Sequence, residues 1–206
     1  MINPFLAGSK VYLRSLEPSD AAAMVGWMNN PDVHRTIGTH RPVTEQSERD
    51  FIERATRSAD EVGFAIIARK DDRFVGTAGL MRIDWRARHA CFGISIGDTT
   101  RWNMGYGTEA TRLVTGYAFD TLNLHRVWLQ VFDINPAGLK VYERVGFRRE
   151  GVFREAVFRD GKYCDVINMA VLRSEWNTAE RSAPRTPRRG GAGGLERTSA
   201  TKRRPR

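Results

Sequence analysis

At 206 residues, with 41% hydrophobic and 10% aromatic content, the chain has the size and composition of one soluble globular domain with a sizeable core. Its net charge of +9 is not spread over that domain: from Arg181 to Arg206 nine Lys or Arg stand against Glu196 alone, which accounts for +8 and leaves the remainder near neutral. Cys91 and Cys164 form no CxxC pair and the histidines at 34, 40, 89 and 125 are scattered, which argues against a disulfide framework or a bound metal, and no apolar run approaches membrane-spanning length.

In chain order, MINPFLAGSK lacks a charged start followed by a long apolar run, so a cytoplasmic protein is expected. Val11 to Arg14 reads as a first strand, and Glu17-Pro18-Ser19-Asp20 as a turn with Ser19 as N-cap. Met24, Trp27 and Met28 recur at helical spacing between Asp20 and Asn30, where Pro31 ends the run; Trp27 reads as a core residue. Residues 32–43 have no period and read as a loop, and Thr44 caps a second helix through Ser58 with Phe51, Ile52 and Ala55 as its apolar stripe. This helix pair precedes most of the sheet, a position suited to a substrate-selecting wall.

Gly63 to Ala68 and Phe74 to Arg82, joined through Asp71-Asp72, read as an antiparallel hairpin. Ala90 to Ile96 is the next strand. It leads into a turn with glycines at 105 and 107, whose freedom of backbone angle lets successive N–H groups converge on one point. A helix from Thr108 to Leu122 adds its unpaired first-turn N–H groups and the positive end of its dipole, making an anion cradle suited to phosphate or pyrophosphate. No Lys-Ser or Lys-Thr pair follows these glycines and the three-glycine dinucleotide fingerprint is absent, so P-loop and Rossmann chemistry lose ground.

Arg126 to Phe132 has something to bury on both faces and reads as a central strand. Asn135-Pro136 opens a further helix that Val145-Gly146 closes, and Phe147 to Phe158 pairs with Tyr163 to Leu172 through Asp160-Gly161. The domain is expected to span residues 1–176. The basic tail, 177–206, is expected to be disordered, because Leu195 is its single large aliphatic residue. It reads as a solvated extension, or as a weak, nonspecific electrostatic contact with nucleic acid.

Across residues 10–176 the succession VYLRSLEPSDAAAM, GISIGD with RWNMGYGTEA, LNLHRVWLQV, NPAGLKVYERVGF and EGVFREAVFRDGKYCDVINMAVLRSEW resembles the GNAT superfamily of acyl-CoA-dependent N-acyltransferases, and within it the RimJ/RimL-type branch. The resemblance implies an α/β (α+β) fold with a mixed, mostly antiparallel central sheet of about seven strands, a splayed strand pair and about four flanking helices. It implies acetyl-CoA as cosubstrate and no metal. The pyrophosphate would lie on Trp102, Asn103, Met104, Gly105, Tyr106, Gly107 and Thr108; Trp102 stands where the general pattern has Gln or Arg, a change that costs little when backbone N–H groups make the contacts. The pantetheine arm would follow Gly93, Ile94, Ser95 and Ile96, with Asn135 contacting it and Tyr142 acting as general acid toward the departing thiolate.

Many relatives carry a glutamate near the position of Cys91, and this chain has no carboxylate on that strand, so the general base is unassigned; Asp84, His89, Glu109 and Asp133 are nearby but read as structural or solvent-facing. The acceptor implied is a primary amine, with a protein N-terminal alanine first. Amino sugars, antibiotics or polyamines, or a non-catalytic acyl-CoA sensor, are the alternatives. The same reading leaves room for a homodimer and none for a membrane partner.

Overall fold

The computed structural model describes residues 4–176, and the tail expected over 177–206 lies outside the described residues. The first expected strand is preceded by a two-residue one, giving β1 (Leu6–Ala7) and β2 (Val11–Ser15). Asp20, and not Ser19, organises the turn that follows: its carboxylate accepts the Glu17 N–H and holds the Arg14 guanidinium through two 2.8 Å bonds. A carboxylate that pairs with a half-buried arginine outcompetes a hydroxyl for that position. Helix α1 (Ala21–Met28) stops at Asn29, and Pro31 starts a short helix α2 (Pro31–His34) capped by Asn30, within the stretch expected as loop. Proline suits the first position of a helix as well as the end of the previous one. Thr44 caps α3 (Glu45–Arg57) as expected, in a reciprocal arrangement with Ser47.

The hairpin β3 (Val62–Ala68) and β4 (Arg73–Asp84) leads to β5 (His89–Ile96), then α4 (Tyr106–Asp120), β6 (Arg126–Phe132), α5 (Pro136–Val145), β7 (Arg148–Arg159) and β8 (Lys162–Leu172). The sheet runs β1-β2-β3-β4-β5-β6-β8-β7, and its paired strands are antiparallel except β5 and β6. The sheet thus has eight strands where about seven were expected, the extra one being the two-residue β1.

Residues of both parities along β3 are buried because helices cover both faces of the sheet. Phe64, Ile66 and Ala68 join the core under α4 and α5, whereas Ala65 and Ile67 join a second core under α1 and α3 with Met24 and Ile52. Trp27, expected as core, is half-buried and packs against the edge of this second core, on Phe74 at 4.7 Å between ring centroids. Among the described residues no helix is long and apolar enough to cross a membrane, and no group of three or more His, Cys, Asp or Glu could hold a metal ion.

Candidate active site

Parallel pairing of β5 with β6 covers His89, Ala90 and Cys91 against Arg126, Val127 and Trp128, and ends there. Beyond Cys91 the two strands separate, while β5 stays paired to β4 through Ile96. Peptide groups of residues 92–96 that point away from β4 therefore have no strand to pair with, which leaves a row of donors and acceptors along one side of a wedge-shaped cleft. Gly93, Ile94, Ser95 and Ile96 occupy this stretch, and the Ile96 carbonyl accepts from the Trp102 indole at 2.8 Å.

The turn after β5 is built differently from its expected form. Gly105 is the left-handed N-cap of α4, with φ of 83°, and the second left-handed residue is Asn103 at 62°; Gly107 lies inside the helix. Asparagine tolerates this region better than other side-chain-bearing residues, so the bend needs one glycine and not two. The helix begins at Tyr106, two residues before Thr108. Its first-turn N–H groups have no intrahelical partner. Trp102 and Met104 are exposed, Tyr106 is buried, and the Lys10 ammonium donates to the Met104 carbonyl at 3.0 Å.

Glu109, in the first turn of α4, ties this turn to the sheet edge. Its carboxylate accepts N–H bonds from Ser9, Lys10 and Val11 at 2.6–2.8 Å and the Ser9 hydroxyl at 2.6 Å. Burial pushes its pKa up, but those hydrogen bonds outweigh it and hold the group below the usual carboxylate value. Its role is structural. Because the unfolded chain protonates first on acidification, the stabilisation is complete above the ordinary carboxylate pKa and disappears as pH falls through the lower folded value. We expect thermal denaturation between about pH 5 and 3 to show a steeper loss of Tm for the wild type than for Glu109→Gln; parallel curves would remove this role.

Tyr142 projects from α5 onto β5 at the point where the strands part. Its ring is buried edge-on against Phe92 at 6.3 Å and Phe147 at 6.0 Å, and no hydrogen bond among the described residues engages its hydroxyl. Burial pushes the phenol pKa up to about 12, with a further push from the neighbouring Cys91. The Cys91 thiol is itself raised by burial, against a smaller lowering from Arg82, so it stays protonated at neutral pH and is neither base nor nucleophile. Asn135 is the N-cap of α5: its Oδ1 accepts the Gly138 N–H at 2.9 Å, leaving its amide nitrogen free to donate. Asp84 is occupied in turning the chain, accepting the N–H groups of Arg86 and Ala87.

One participant was invisible in the sequence. Arg159, at the end of β7, donates to the carbonyls of Ile37 and Thr39 at 2.7 Å each while its guanidinium lies 5.7 Å from the centroid of the Phe132 ring, at the open end of β6. Arg35 and Asp160 pair beside it at 3.4 Å. The stretch after α2 thus reaches from the helical layer to the β7–β8 turn, past the open end of the cleft. No local pattern announces a contact across 120 residues of chain.

A strand pair that opens beyond one register position, a left-handed turn at a helix head and a buried phenol at the apex define an acyl-transfer fold. The family model described as the acetyltransferase (GNAT) domain matches residues 10–148, and the chain belongs to that family of acetyl-CoA-dependent N-acetyltransferases. It is 31% identical to a probable N-acetyltransferase, YjcK, of Bacillus subtilis, over 82% of this chain and 98% of the relative. It is 26% identical to the spermidine N(1)-acetyltransferase of Escherichia coli K12, over 84% and 85%. Among solved structures, the spermidine N-acetyltransferase of Vibrio cholerae in complex with CoA and spermine superposes with a TM-score of 0.76 at 26% identity, covering 82% of this chain and 99% of that one.

Proposed function

We propose that the chain transfers an acetyl group from acetyl-CoA to an α-amine of the kind found at a peptide N-terminus, by direct attack in the cleft between β5 and β6. The observation that carries this reading is the buried, unengaged Tyr142 phenol at the apex of a cleft whose β5 wall bears no carboxylate. Those peptide groups of Gly93, Ile94, Ser95 and Ile96 that face away from β4, the Ile96 carbonyl held by Trp102 apart, and the amide nitrogen of Asn135 would hold the cofactor arm. The N–H groups of Asn103 to Thr108 would receive its pyrophosphate, with Trp102 flanking them.

A phenol that keeps its proton to about pH 12 does not surrender it fully to a thiolate whose conjugate thiol ionises at about 8.5. Tyr142 instead donates a hydrogen bond to the sulfur as the carbon–sulfur bond breaks and the nitrogen–carbon bond forms. The amine's excess proton leaves to solvent. With no carboxylate on β5 to take its proton, an acceptor that deprotonates readily is favoured, an α-amine near pH 8 over a lysine-like amine at about 10.4. In kcat/KM against pH the rise is then expected near 8 for a peptide acceptor; a rise displaced to about 10 for every turned-over amine would contradict the α-amine reading.

Spermidine-type acceptors form the second reading, which the relatives favour. The stretch around Arg159 weighs against it: residues 34–41 contain no acid, and beside Arg35, whose charge Asp160 offsets, they add Arg41. Such a stretch offers a polycation no carboxylate of its own. Arg159→Ala, by freeing Ile37 and Thr39, is expected to raise KM for the amine about tenfold with the dissociation constant of acetyl-CoA within about twofold; equal effects on both would remove the wall from the acceptor side.

A further inference from the structure

Along β6 the side chains of Val127, Leu129 and Val131 enter the core under α4 and α5, so Trp128, Gln130 and Phe132 lie on the opposite face of the sheet. Register carries that face across β8 and β7: Gln130 stands in one row with Asn168 and Gly151, and Phe132 in the next with Val166 and Phe153. Helices α1 and α3 reach only the other half of this face, because the strand residues packed beneath them come from β2, β3 and β4 and, among the described residues, none from β6, β7 or β8. What is left uncovered is neutral and partly apolar. Phe153 is 56% exposed, Phe132 is half-buried, and Glu150 at the margin is held by Arg126. Gln130 donates its Nε2 to Asn168 Oδ1 at 2.9 Å, which leaves the Gln130 carbonyl oxygen and the Asn168 amide nitrogen without a partner among the described residues.

This face is continuous with the gap between the strands. Cys91 and Trp128 are the last pair before β5 and β6 part, so Gln130 and Phe132 stand on the β6 wall of the gap. On the other face α4 and α5 pack over the sheet, so an acceptor reaches the gap from the Gln130 side. A chain extended along β6 repeats its side chains every ~6.6 Å, the spacing of the two rows, and each of its residues offers one donor and one acceptor to the amide pair. We infer that this face seats the acceptor polypeptide behind its N-terminal residue, with Gln130 and Asn168 bonding a peptide group and Phe132 and Phe153 receiving an apolar side chain one row further on. The inference rests on the α-amine reading above and narrows it to polypeptides with an apolar residue close behind the N-terminus. A polyamine or an amino sugar has no apolar side chain for the aromatic row, and a second cation finds no carboxylate in either row.

The test is kcat/KM for hexapeptides that begin with alanine and carry a single leucine or lysine at position 2, 3 or 4, each taken relative to alaninamide, for the wild type, Phe153→Ala, Phe153→Leu and Gln130→Ala. At one of these positions the wild type is expected to prefer leucine over lysine about tenfold. Phe153→Ala brings that preference to within about twofold and Phe153→Leu keeps most of it, whereas Gln130→Ala lowers every peptide about fivefold relative to alaninamide with the leucine preference retained. No preference at any position, or both ratios unchanged in Phe153→Ala and Gln130→Ala, overturns the inference and leaves the α-amine reading standing. A dimer in light scattering that Phe153→Ala dissociates, with the peptide preference unchanged, assigns the face to a second copy and overturns it as well. Failure of the α-amine reading shows itself separately, as no turnover of alaninamide or of any peptide by the wild type, and the inference falls with it.

Discussion

Tyr142→Phe is expected to lower kcat about 100-fold or more while the dissociation constant of acetyl-CoA changes by less than about threefold. The substitution removes one oxygen from a ring held between Phe92 and Phe147, so the packing that positions α5 on β5 is retained. What is lost is the proposed donor to the departing sulfur, an interaction that would strengthen only as negative charge develops there. Because burial keeps the phenol protonated to about pH 12, no fall of wild-type kcat attributable to this group is expected below about pH 10. Single-turnover kinetics separates the chemical step from product release, and a variant with unchanged single-turnover rate would take Tyr142 out of the chemistry.

The second large effect is on stability, and it too bears on the cleft. At Gly76 of β4 an added Cβ would sit 2.2 Å from the Ser95 carbonyl oxygen and 2.9 Å from the Ile96 Cα, both backbone atoms that cannot rotate aside. Gly76→Ala must therefore part β4 from β5 at the far end of the cofactor-facing stretch. We expect a cost at or above the upper end of about 1–3 kcal/mol, a Tm loss of roughly 6–12 °C and weaker acetyl-CoA binding together. Gly151→Ala, whose Cβ meets nothing within 4 Å, is the control and should move Tm by less than about 2 °C. Equal thermal stability of the two variants would contradict the close pairing of β4 with β5.

Local chemistry made much of this molecule legible in its sequence. Asp160-Gly161 sits at φ of 47° and 79° in the β7–β8 turn, Thr44 caps α3, and Gly146 closes α5 at φ of 109°, each as the residue type demands. The same chemistry misled where two solutions were open to one residue. Pro31 can end a helix or start one, and here it starts α2; two glycines in the anion turn suggested two left-handed positions, whereas Asn103 supplies one of them. β1 has two residues and so no period to read. Long-range placement was the part that no spacing could disclose: Glu109 held by residues 9–11 and Arg159 held by Ile37 and Thr39 are consequences of the sheet order. Tyr142 stood out through its motif, but its burial and raised pKa, on which the proposed hydrogen-bond donation rests, came only from its neighbours in space.

The most direct measurement of the central claim is thiol release from acetyl-CoA by the purified chain with alanine-terminated peptides, other peptide N-termini, spermidine, aminoglycosides and amino sugars as acceptors. Turnover highest on a peptide α-amine, and absent with the same peptide N-terminally blocked, is the result expected. Turnover confined to spermidine, or none with any amine while acetyl-CoA still binds, would contradict it.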